Sequence, residues 1–185
     1  DINFLDSMQY LNQFIEQSAF IGNTCLIQGY EQWKHYFNEL ITLNIGVHSQ
    51  YFFLAKKSVI EPRAGVSYQL NEKNKLTIGA GQHSQIQPIN IYYRKNFQDP
   101  TSNELPNKNL GFSKAIHFVA GHEIYLGKNT RLKTEIYYQY LYNIPIENDS
   151  SAFSMINEGA DFALANNTNL NNSGSIYFGH KTEIE

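Results

Sequence analysis

Cysteine is nearly absent from the 185 residues: Cys25 stands alone. One thiol excludes an intrachain disulfide framework and any multi-cysteine metal site. Its place in an apparent strand suits a small packed hydrophobe. Excess charge is lacking too. The formal net charge is −3, and no basic stripe marks a nucleic-acid partner. No signal-peptide pattern opens the chain at Asp1. No apolar run approaches the ~18 residues of a transmembrane helix, which excludes helical spans only. A transmembrane strand needs just ~9–11 residues of alternating polarity. The mean hydropathy of −0.43 is therefore compatible with a membrane barrel. Tryptophan is scarce at one residue, yet there are 13 Tyr and 12 Phe. The pattern breaks off at Glu185 in mid-run, so the chain is expected to be a piece of something longer.

What is present is alternation. In ITLNIGV, Ile41, Leu43, Ile45 and Val47 share one side; Thr42, Asn44, Gly46 and His48 share the other. The same period of two runs through AGVSYQL, LTIGAGQH and LKTEIYYQYL, and it predicts strands with one apolar and one polar face. Strands are expected at about 25–36, 40–52, 62–70, 75–84, 115–126, 131–143 and 175–184. Tight polar turns at 71–74, 127–130 and 37–39 alternate with longer segments at about 53–62, 86–113 and 144–173. Residues 1–21 are set apart as a loop or short amphipathic helix, because Phe4, Leu5, Met8, Leu11 and Ile15 recur at helical spacing. Residues 22–185 form the β-domain.

The fold class is thus all-β, an antiparallel up-and-down meander. In a soluble sandwich the apolar face is a core. In a membrane barrel it meets lipid, and the polar face lines a wet lumen. Two features favour the barrel. The predicted strands exceed the soluble norm of ~5–6 residues. Aromatics also gather at strand ends, as at Tyr36 and Phe37, Tyr51 to Phe53, and Tyr140 and Tyr142, like an interfacial girdle.

The pair His83-Ser84 invites a catalytic reading. Neighbours in a strand point to opposite faces, so imidazole and hydroxyl diverge. No G-x-S-x-G elbow is present and His122-Glu123 lacks a second His four residues on, so no enzyme is expected. His48, His83 and His117 fall on the polar face toward the long-loop end. They would meet a ligand there or hold loop bases by hydrogen bonds. No carboxylate or thiol completes a recognisable ligand set, so no metal and no cofactor is assigned. In the loops, Tyr92, Tyr93 and Arg94 combine stacking surfaces with a cation and are candidate ligand contacts.

Three stretches carry a family likeness: Glu61-Pro62-Arg63 with Gly65 and Ser67; Gly79, Gly81, His83-Ser84-Gln85 and Gln87-Pro88; and Leu132-Lys133, Glu135, Tyr137-Tyr138-Gln139, Leu141, Asn143 and Pro145. With the run from Gln28 to Lys34 and LNIGVHSQYF, they resemble the barrel of TonB-dependent outer-membrane receptors of the Bacteroidetes type. The likeness runs from about Gly22 to the end. It implies part of a large transmembrane barrel of ~22 strands, plugged by a separate N-terminal domain. About seven strands would lie here. The implied partners are outer-membrane lipid, the plug of the same parent chain, TonB through the parent's N-terminal region, and an unidentified nutrient such as a siderophore or glycan. Location in the Gram-negative cell outer membrane follows. Gly46, Gly79, Gly81 and Gly121, with Arg63 and Glu135, would then face lumen and plug as structural residues. A soluble β-rich surface binding module and a non-transporting outer-membrane barrel are the rival readings.

Overall fold

The computed structural model describes residues 23–94, 104–127, 130–147, 154–156, 170–178 and 181–184. The proposed helix or loop at 1–21 lies outside them. The fold is all-β: one antiparallel meander of strands β1 (Leu26–Tyr36), β2 (Ile41–Phe52), β3 (Lys57–Asn71), β4 (Asn74–Gln85), β5 (Ser113–Tyr125), β6 (Arg131–Glu147) and β7 (Leu170–Phe178). A last strand, β8 (Lys181–Ile184), continues along the same edge of β6 that β7 occupies higher up. The two segments together make the seventh position of the meander. β1 and β7 lie at opposite ends of the strand order, and the sheet is not closed.

Each of the first six strands has between 11 and 17 residues. Strands this long persist because the alternation never lapses. Register confirms the two faces: Trp33, Ile45, Ala64, Ala80, Phe118 and Tyr138 form one lateral row, and Gln32, Gly46, Arg63, Gly81, His117 and Gln139 form the next, on the opposite face. The short turns are closed by their own side chains. Asn38 Oδ1 accepts the backbone N–H groups of Leu40 and Ile41, and Asn71 Oδ1 accepts that of Lys73.

Several boundaries differ from the sequence expectation. The supposed long segment at 53–62 is a four-residue turn, with Lys56 at φ 52°, and β3 starts at Lys57. The expected strand begins at Pro62. Pro62 is instead tolerated inside the strand, where the β3–β4 ladder begins only at Arg63, just after the residue with no N–H to donate. β6 runs on to Glu147 past a register shift near Asn143, whose φ is 56°. The 86–112 connection holds a one-turn helix, α1 (Ile89–Tyr92), and a 3-10 turn (Pro106–Asn109). Cys25 is exposed just before β1, not packed.

The buried core sits at the long-connection end. Phe52 and Val59, from facing ends of β2 and β3, pack with Ile91 and Tyr92 of α1, Leu110, Phe112 and Leu170. Phe52 and Val59 share the parity of His48 and Glu61, so this cap lies over the polar face. Burying such side chains contributes about 1.5–3 kcal/mol each. Asn107, fully buried, accepts the Leu170 N–H at 3.0 Å and ties the 3-10 turn to β7.

Candidate functional site

The polar face below the cap carries the chemistry. Its centre is Glu61, only 2 % exposed. His48 Nδ1 lies 2.9 Å from one carboxylate oxygen, and Gln50 Nε2 donates to the other at 2.6 Å. An ionised carboxylate only accepts, so the first contact needs the proton on Nδ1. Gln50 also donates to the Ser84 carbonyl at 3.1 Å and accepts from Gln28 Nε2 at 2.7 Å. Arg63 stands 3.9 Å from Glu61. The register explains the convergence: His48 lies directly opposite Glu61, and Gln50 opposite Val59 beside it. Around this network opens a cavity of 380 Å3 that also reaches Tyr30, Gln32, Gly46 and His83.

Arg63 is seated by glycines. A Cβ on Gly46 would sit 3.2 Å from Arg63 Cγ, and one on Gly81 would sit 3.1 Å from Arg63 Cβ. The two positions flank Arg63 in register, so its stem runs through a slot that any side chain would narrow. Gly81→Val is expected to cost about 1–3 kcal/mol by overpacking and to push Arg63 away from Glu61. Urea unfolding of the variant measures it, and an unchanged midpoint would rule the slot out. Gly121 and Gly79 lie on the same face, Gly121 opposite Glu135 and Gly79 opposite Gly65. Lys133 pairs with Glu135 at 2.8 Å.

His83 and His117 are diagonal neighbours on β4 and β5, their rings edge-to-face with centroids 5.0 Å apart. His48 is separate from them, held by Glu61. Tyr92, Tyr93 and Arg94 do not line a surface: all three are buried in the cap. Tyr92 packs edge-on against Phe52, and its hydroxyl accepts the Gln87 N–H at 3.2 Å. Burial pushes its phenol up, against a smaller opposing effect of that hydrogen bond. Burial likewise lowers the Arg94 guanidinium to about 10, which leaves it charged at neutral pH. A ligand reaching these three side chains would need the cap to open. Among the described residues, no group of three or more His, Cys, Asp and Glu side chains is placed to hold a metal ion.

Sequence reasoning missed Glu61, Gln50 and Gln28. Their signal was available: once the 53–56 turn is drawn tight, the pleat places Glu61 opposite His48. The other face is the reverse of a core. Ile78 is 70 % exposed and Ile136 64 %, with Phe118 and Tyr138 beside them and Trp33 farther along the same face. Aromatic pairs mark its two ends: Tyr51 with Phe53 and Tyr140 with Tyr142 at one, and Trp33, His35 and Phe37 at the other. No protein-family model matches the chain, and searches of curated proteins and of solved structures return no match.

Proposed function

We propose that this chain is part of an outer-membrane barrel of the TonB-dependent receptor kind, which takes up a nutrient across the Gram-negative outer membrane. The observation that carries the reading is the inverted sheet: bulky apolar side chains stand outward on one face while the Glu61 carboxylate and the Gln50 amide are buried on the other. Water would penalise an apolar face of this extent, since soluble monomers rarely expose contiguous patches beyond a few hundred Å2. A bilayer removes that penalty. The strand lengths meet the ~9–11 residues that a spanning strand needs. No helix among the described residues is long and apolar enough to cross a membrane, which says nothing of strands.

In this reading the polar face lines the lumen. The glycine rows leave room there for the plug of the parent chain, and the free edges at β1 and β7 take further strands of the same barrel. Ligand capture would fall to the connections at the capped end, and TonB would act on the parent's N-terminal region. The role is transport and recognition, with no covalent step.

Trp33, the sole tryptophan, is 56 % exposed on the apolar face and tests the placement directly. In vesicles with brominated acyl chains its fluorescence is expected to be strongly quenched, while an aqueous quencher leaves it unaffected. The opposite pattern, with the chain soluble without detergent, would support the soluble-module reading and end this one. Lipid quenching without any nutrient-uptake defect in a strain lacking the parent gene would leave a barrel and remove transport.

A further inference from the structure

We propose that His83 and His117 form a two-histidine site for a divalent transition-metal ion, borne either free or within a chelate that supplies the remaining ligands. Most imidazoles of a folded sheet find partners. His48 is held by Glu61, and His122 Nε2 lies 3.1 Å from Asn74 Oδ1. Among the described residues the rings of His83 and His117 make no hydrogen bond, and they meet edge-to-face. Four ring nitrogens therefore stand available on one face.

The sequence creates this arrangement through what lies opposite. His117 faces Gly81, and His83 faces Ala115. Two large rings thus alternate with two small residues, and the rings lean together over the space the small ones leave. The pairing holds the two Cα positions on adjacent strands, so the site is built on the most rigid part of the fold. A metal–nitrogen distance of ~2.0–2.1 Å and a nitrogen about 1.1 Å from its ring centre let centroids 5.0 Å apart subtend roughly 100° at a shared ion. That lies between the octahedral and tetrahedral angles. His83 is exposed, so its ring is free to turn toward the ion.

Two imidazoles fill half of a tetrahedral shell or less. Beside them lies an open cavity of 280 Å3, bordered by Gln139 and Leu141 of β6. Among the described residues no carboxylate or thiol joins the pair to make a third ligand, which suits an ion that arrives with ligands of its own. Imidazole pairs prefer late first-row ions, with Cu2+ held most tightly of the free divalent series. The site stands on the sheet register alone and does not depend on the membrane placement.

The test is titration of the whole chain in detergent micelles with Cu2+ alone, followed by electron paramagnetic resonance. Two equatorial nitrogens are expected in the spectrum. His83→Asn and His117→Asn should each weaken binding by about tenfold or more and reduce the nitrogen count. His35→Asn and His122→Asn should leave both unchanged. Circular dichroism of the four variants separates loss of a ligand from loss of fold. If His83→Asn and His117→Asn bind Cu2+ like the parent while folded, or all four variants weaken it alike, the pair is ring packing and the proposal falls. Failure of the Trp33 quenching test would leave this result standing, and the converse holds too.

Discussion

Ile78→Arg is expected to destabilise the reconstituted chain by about 2–4 kcal/mol, the cost of an arginine near the middle of a lipid-facing strand. Ile78 is among the most exposed apolar residues of the sheet, and it sits in register with Val66 on one side and Ala120 on the other. No protein contact of consequence is lost by changing it. In water, such a surface substitution shifts stability by no more than about 0.5 kcal/mol and often aids solubility. The two environments therefore predict opposite practical outcomes for one variant. Urea titration in lipid vesicles measures it, with Ile136→Arg as a second site on β6. Values near zero at both positions would refute a bilayer around this face.

Glu61→Ala should cost about 3 kcal/mol. Breaking one side of a buried polar pair leaves its partners without compensation. Here the stranded groups are the His48 Nδ1 proton and one Gln50 N–H, both shielded beneath the cap. Arg63, 3.9 Å away, would also lose its nearest anion. Glu61→Gln keeps one acceptor, for Gln50, while its amide N–H is met by His48 only in the other tautomer, so it should recover part of the loss. Comparing the two variants by urea midpoint separates hydrogen bonding from charge. An alanine variant within about 0.5 kcal/mol of the parent would show that the network contributes little.

Much of the fold was legible because its signals are local. A period of two needs no partner to be read, and Asn71 and Asn74 closed their turn by themselves. The misjudged boundaries share a cause. Pro62 reads as a strand breaker until its neighbours are known, and the pairing of β3 with β4 starts just beyond it. Asn143 reads as a strand end, yet with φ at 56° the chain merely bulges there and pairing resumes with β7. The residues of α1 look like an aromatic loop. Only the hydrophobic ends of β2 and β3 beneath them make Ile91 and Tyr92 a core.

The sequence by itself determined which side chains share a face, because the pleat fixes parity for every residue of a strand. It set His48, His83, His117 and Arg63 on one side against Ile45 and Ile78 on the other. Tertiary structure decided the rest. Which face is sheltered depends on where the connections fold, and they fold over the polar one. Which groups touch depends on register: one residue of slip would have taken His48 from Glu61 and His83 from His117. Register is set by the turns and connections that join neighbouring strands, and no single strand records it.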